Sequence, residues 1–249
     1  MNLPKLLPLI VVVSCTVPAK SRQPMDPATW ATVQRALEAE RAARSRPPWR
    51  ARVSVSMREP RTGRVVDGRG AIAVAPGRAM RMVLVGGAGG TMLDAWITAA
   101  QWRVAIPPAG QLRRGDGVEA ELGDGGGARD LPVGFLRWLF FTPLQGTLFA
   151  GTQEQDGLSF LLRDGDAVLE VRLRSCDRGQ LSIITRRSRG RVERLEECRA
   201  PSSPQPGDWV TYRDDSNGLR CDLAIESVAS ESPDDIAFRD PDAGGEVVY

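Results

Sequence analysis

Histidine is absent from the 249-residue chain. Mechanisms built on an imidazole base, the Ser-His-Asp triad included, and zinc sites with a histidine ligand are therefore excluded. A surplus of either charge is lacking too. The 33 Lys and Arg against 31 Asp and Glu leave a formal net charge of +2, so no strong field draws the chain to nucleic acid. Of the basic residues only Lys5 and Lys20 are lysines, a bias that carries no functional reading. No Gly-Lys-Ser/Thr ending follows the glycines at 86–90, and they join strand to strand, which excludes a phosphate loop. Asp240-Pro241-Asp242-Ala243-Gly244 starts like a calcium loop but lacks the closing Glu, and reads as a solvated acidic tail. Asp214-Asp215 and Asp234-Asp235 read as turn residues. No metal, cofactor or catalytic residue is expected, and the protein reads as not an enzyme. A paired-carboxylate hydrolase would need two acids held across one cleft, which no spacing here indicates.

What is present is turn formers. The 26 glycines and 18 prolines suit many short elements, so a β-rich fold is favoured over a helix bundle. At the N-terminus, Lys5 precedes the apolar run Leu6–Val13, too short to cross a bilayer as a helix. Small Ser14 and then Cys15 follow. Val12-Val13-Ser14-Cys15 resembles the lipobox of bacterial lipoproteins, which implies a signal peptide over residues 1–15 whose Cys15 becomes the acylated N-terminus. Attached palmitate-type acyl chains would hold the protein to membrane lipid, since dual acylation anchors durably. Thr16 rather than Asp after the cysteine points, under the lipoprotein sorting rule, to the periplasmic face of the outer membrane. Residues 16–26 form a polar tether, and 27–249 read as one domain.

Asp26-Pro27 starts a helix, with Trp30, Val33 and Leu37 at helical spacing, and Pro47-Pro48 stops it. Docking of this amphipathic helix onto its own domain is expected. From Trp49 the period becomes two. Val53, Val55 and Met57; Ile72 and Val74; Met80, Met82 and Leu84; Leu93, Ala95 and Ile97; and Trp102, Val104 and Ile106 mark five strands joined by short turns. Gly115–Ala128 reads as a loop. Residues 131–150 are the most apolar stretch, yet Arg137, Pro143 and Gly146 argue against a membrane span. Alternation then resumes through Leu169–Leu173, Leu181–Arg187, Arg191–Cys198, Val210–Tyr212 and Cys221–Ile225. The expectation is a mainly β, α+β antiparallel meander of about ten strands with an N-terminal and a central helix. With Cys15 acylated, an up-down-up path over the strands after 168 puts Cys176 and Cys198 at one end of the sheet, poised to pair. Cys221, in phase with Leu223 and Ile225, reads as a buried thiol. Arg186, Arg187, Arg189, Arg191 and Arg194 form a basic hairpin, either a solvated surface or a contact for anionic headgroups.

Two segments carry a family resemblance. Leu84–Asp94, LVGGAGGTMLD, resembles the projecting glycine-rich loop of the LolA/LolB family of outer-membrane lipoprotein carriers; here the loop comprises Gly86, Gly87, Ala88, Gly89 and Gly90. Leu131–Gly146 is similar to that family's central helix at Leu136, Arg137, Trp138, Pro143 and Gly146. The resemblance implies a half-open antiparallel barrel closed by the two helices, with an apolar cavity for acyl chains. Ala88 stands where the family's loop carries an exposed leucine, so membrane insertion of the tip would be weaker by about 1–2 kcal/mol.

The expected cavity is lined by Val55, Met82, Leu84 and Ile97 from the strands and by Leu136, Trp138, Leu139 and Phe140 from the central segment. Pro143 and Gly146 would let that segment move as a lid. The function expected is a monomeric outer-membrane lipoprotein that binds lipid or lipoprotein acyl chains for lipoprotein localisation. The alternative is an accessory lipoprotein of an envelope complex, its barrel filled by its own side chains.

Overall fold

A computed structural model of the protein describes residues 26–44, 47–58, 63, 65–116, 136, 139–140, 144–200, 204–216 and 218–243. Cys15 and Trp138 lie outside them. Helix α1 (Pro27–Arg44) is followed by β1 (Trp49–Arg58), β2 (Val65–Ala75), β3 (Ala79–Val85), β4 (Thr91–Thr98), β5 (Gln101–Ile106) and β6 (Gln111–Asp116). Then come β7 (Thr147–Glu154), β8 (Gly157–Asp164), β9 (Ala167–Cys176), β10 (Gly179–Ser188), β11 (Arg191–Arg199), β12 (Trp209–Asp214) and β13 (Leu219–Val228). Leu136, Leu139 and Phe140 have helical backbone.

All thirteen strands form one sheet in the order β6-β5-β4-β3-β2-β1-β13-β12-β11-β10-β9-β8-β7, every pairing between neighbours antiparallel. The sheet does not close, because β6 and β7 are its edges. Flat, twelve strand spacings would extend roughly 58 Å. Yet Val53, Ile72, Met82, Ile97, Phe160, Val171, Ile184, Leu195 and Tyr212, from strands that run from β4 to β8 in that order, belong to one core. The sheet therefore curls around its apolar face, here called the inner face.

The expected ten strands become thirteen. The three extra strands had weak signals. Edge strand β6 (QLRRGD) carries little apolar content, and its last residues read in sequence as part of the Gly115 loop. Leu148 and Phe149 of β7 continue the central apolar run in sequence. In β8, Leu158, Ser159 and Phe160 are all buried, so the period-2 contrast is lost. Of the two expected helices, one is a complete described element, and of the central segment only Leu136, Leu139 and Phe140 are described as helical.

Helix α1 starts as its sequence predicts. The Asp26 carboxylate accepts the backbone N–H groups of Ala28 and Thr29, each at 3.0 Å, satisfying donors a helix start leaves open. Val33 and Leu37 are buried where α1 lies against β7 and β8. The approach is close: a Cβ on Gly151 of β7 would lie 2.7 Å from Val33 Cγ2, so glycine is what admits the helix. Cys176 and Cys198 form a disulfide with Cα atoms 6.3 Å apart, tying the end of β9 to the end of β11 across β10. Cys221 is a buried free thiol whose pKa burial pushes up to about 12, so it stays protonated and behaves as a small hydrophobe.

Candidate functional site

The inner face is apolar in its middle. Met82 lies opposite Ile72 and Ala95, Leu84 opposite Leu93, and Ile97 opposite Met80 and Trp102, with every one of these residues buried. Leu136 and Leu139 from the central segment join the same core, and Phe140 packs at its margin with its ring 6.4 Å from that of Trp49. Met82, Leu84, Ile97 and Leu136 thus sit in packed interior.

Leu139 and Phe140 instead line a cavity of about 110 Å³ at one end of the inner face, with Trp49, Val74, Val210, Leu223 and Ile225 as further apolar walls. Val55 is buried and also borders a wider depression of about 870 Å³, lined in addition by Asp67, Arg69, Trp209 and Asp222 and reaching Gly86 and Gly87. The glycine loop projects as a tight turn. Gly89 donates its N–H to Gly86 O at 2.9 Å with φ +82°, and Gly86 donates to Gly90 O at 3.0 Å. Ala88 is exposed at its tip.

Charged side chains from α1 and β11 close the small cavity, and sequence reasoning missed them. Arg44 ion-pairs with Glu197, and Arg199 contacts Glu197 Oε1 at 2.8 Å and Glu40 Oε2 at 2.7 Å. Burial opposes ionisation of Glu197, but the guanidiniums of Arg44 and Arg199 outweigh it and hold its pKa below the ordinary carboxylate value. A signal for this cluster was present. Val33, Leu37, Glu40 and Arg44 recur at four- and three-residue steps, so Glu40 and Arg44 continue the buried stripe of α1.

Arg41 adds a direct tie to the central segment. Its guanidinium donates from Nε to Leu144 O at 3.0 Å and from Nη2 to Gly146 O at 2.6 Å. Leu144 and Gly146 are thereby strapped to α1.

At the other end of the inner face, Tyr212 donates its hydroxyl proton to Glu193 Oε1 at 2.8 Å, beside buried Asp214 and Arg191. Burial and the neighbouring Glu193 raise the Tyr212 pKa well above its ordinary value, so it remains a donor. Asp214 is accordingly a buried partner of Arg191, not only a turn residue.

The basic hairpin is charge-matched rather than bare. Arg186 pairs with Glu193, Arg187 with Glu170, Arg189 with Asp166, and Arg191 with Asp214. The expected solvated tail is also docked: Asp240 and Asp242 pair with Arg114, and Asp242 with Arg103. Among the described residues, one group has metal-ligand proximity, Cys176, Asp177 and Cys198, and its two sulfurs are bonded to each other. No described helix is long and apolar enough to cross a membrane.

No protein-family model matches the sequence, and no curated protein matches it. Solved structures do match. A LolA-superfamily protein from Nitrosomonas europaea aligns at a TM-score of 0.50 and 13% identity, over 84% of this chain and 97% of that one. A putative outer membrane lipoprotein-sorting protein domain from Vibrio parahaemolyticus aligns at 0.51 and 11%, over 83% and 97%. A DUF1329 family protein from Desulfovibrio piger aligns at 0.50 and 11%, over 86% and 98%. The chain thus shares its fold with these molecules and has a LolA-like fold.

Proposed function

We propose that the protein is an envelope lipoprotein that holds acyl chains of lipid or lipoprotein cargo against the inner face of its sheet, without enzymatic activity. The observation that carries this reading is the strapped central segment. Leu136 and Leu139 cover the apolar inner face, and Arg41 grips the chain after them through the backbone carbonyls of Leu144 and Gly146, beside the buried side chain of Leu144. Local opening there would break those two hydrogen bonds and lift Leu136, Leu139 and Leu144 from the core while leaving the sheet pairings intact. The 110 Å³ cavity beneath Leu139 and Phe140 is smaller than the 300 Å³ or more typical of sites for small ligands, and on this reading it is the closed form of the site. Withdrawal of the central segment would join it to the face now covered by Leu136 and Leu139.

Sharing a fold with a LolA-superfamily protein and an outer membrane lipoprotein-sorting domain supports this reading. Acylation at Cys15 would anchor the domain as a monomer at the periplasmic face of the outer membrane. Ala88, in place of a larger apolar tip, makes the glycine loop a weak membrane wedge. Delivery would then depend more on the lid than on the loop.

The second reading, an accessory lipoprotein with a self-filled barrel, is favoured by one observation: Met80, Ala95, Ile97, Phe160 and Leu162 show no exposure at all. Mass spectrometry of the gently purified protein separates the two. Intact lipid carried with the folded chain supports the carrier, and protein free of lipid after exposure to native membranes supports the accessory role.

A further inference from the structure

The outer face of β3–β6 carries an arginine row. Arg81, Trp96, Arg103 and Arg114 stand directly opposite one another on four successive strands. Like charges opposite each other in a sheet are destabilising unless anions intervene. Asp94 supplies one, 2.9 Å from both Arg81 and Arg103. Three guanidiniums against one carboxylate leave two positive charges, and Arg103 is 1% exposed. A buried cation needs a partner, so this surface demands about two further negative charges.

The chain's own C-terminal segment provides them. Asp242 accepts from Arg103 Nε at 2.8 Å and from Arg114, and Asp240 accepts from Arg114 at 2.9 and 3.0 Å. Trp96 donates its indole N–H to the backbone carbonyl of Phe238 at 2.8 Å. Arg78 reaches Asp235 at 3.2 Å and lies 5.7 Å from the Phe238 ring centre. The segment buries little of itself: no residue from 229 to 243 is buried, and Ile236 is 69% exposed. Its fit is also incomplete, since Asp242 Oδ1 is buried without a hydrogen-bond partner.

We propose that the Arg81–Trp96–Arg103–Arg114 row is a docking surface for an acidic peptide segment of a partner protein, occupied in this structure by the chain's own residues 235–242. The contacts made in cis define the ligand chemistry: two carboxylates two residues apart for Arg103 and Arg114, and a peptide carbonyl for Trp96. That carbonyl favours a peptide over a lipid headgroup. The pairs of Arg114 with Asp240 and of Arg78 with Asp235 are solvent-accessible and so screened by salt and exchangeable, while the buried Arg103–Asp242 pair is the anchor of the segment. A tethered segment competes at a millimolar effective concentration, so a partner must out-compete it or catch it released.

The test uses the full chain, a fluorescent peptide with the sequence of residues 234–243, and vesicles rich in anionic phospholipid. Asp240→Asn with Asp242→Asn weakens the cis occupant and leaves the arginine row intact. The variant should bind the peptide at least about tenfold tighter than wild type. Binding should weaken with salt and fall again when Arg114→Ala is added. Equal binding by wild type and variant overturns the proposal, as does binding unaffected by Arg114→Ala. Association of the variant with anionic vesicles but not with the peptide overturns it in favour of a lipid surface. A folded variant that binds neither makes the segment a structural brace only.

Discussion

Replacing Arg41 with Ala removes the strap between α1 and the central segment while leaving the core untouched. Two hydrogen bonds are lost, to Leu144 O at 3.0 Å and Gly146 O at 2.6 Å. Charge-assisted bonds are worth about 1.5–3 kcal/mol each when buried. Arg41 is exposed, so solvent screening reduces the pair to roughly 1–2 kcal/mol. At about 1.4 kcal/mol per factor of ten, the population with the segment released rises about 5- to 30-fold. Native-state hydrogen exchange reads this directly. Amides of peptides spanning 136–150 should exchange faster by that factor, while β8 to β10, whose pairing does not involve Arg41, keep their protection. Unchanged exchange over 136–150 in a folded Arg41→Ala protein would refute the strap.

Ala95 is fully buried between Met82 and Val104, so Ala95→Trp overpacks the core, with a cost of about 1–3 kcal/mol or more that thermal melting detects. Ala43 borders the small cavity from α1, and Ala43→Trp should fill it with little change in melting temperature. Breaking the disulfide with Cys176→Ser and Cys198→Ser should cost about 3 kcal/mol, given the sequence separation of 22, and lower Tm by roughly 6–12 °C. Gly151→Leu drives a side chain into Val33 and should undock α1, seen as lost protection over 27–44. Hydrogen bonding to Arg114 lowers the Asp240 pKa, and the guanidiniums of Arg103 and Arg114 lower that of Asp242 against the opposing effect of burial. Because these folded-state values are depressed, the stabilisation is present above the ordinary aspartate pKa of about 3.9 and lost as pH falls through the lower folded values. The fall in Tm on acidification below about pH 4 should therefore be shallower in the Asp240→Asn, Asp242→Asn variant. Cys15→Ala should release the protein from the membrane pellet.

Local periodicity exposed most of the sheet and the start of α1. Strands such as β1 and β9 alternate buried and less buried positions, and Asp26-Pro27 is a helix start whose chemistry is entirely local. The disulfide was legible because a meander returns every second strand to the same end. Three strands were not, because β6 carries little apolar content, β7 merges with the apolar segment before it, and β8 buries three consecutive residues, Leu158, Ser159 and Phe160. The polar parts of the site were hidden for another reason. Arg41, Glu197 and Asp242 act through partners more than 100 residues away in sequence, and no spacing rule encodes those contacts. The expected lining residues divide by depth. Met82, Leu84, Ile97 and Leu136 belong to packed interior, whereas Leu139 and Phe140 reach a cavity, and burial of an apolar side chain looks the same in sequence in both cases.

The central claim is that the inner face accepts acyl chains once the segment strapped by Arg41 withdraws. Titration of a fluorescent fatty acyl probe into the folded domain tests it most directly, with Ala43→Trp and Arg41→Ala measured alongside wild type. The account predicts saturable binding by wild type, a faster on-rate in Arg41→Ala, and weaker binding in Ala43→Trp, where the added ring occupies the cavity beneath Leu139 and Phe140. No probe binding by wild type or by folded Arg41→Ala would contradict it and leave the self-filled accessory protein as the reading.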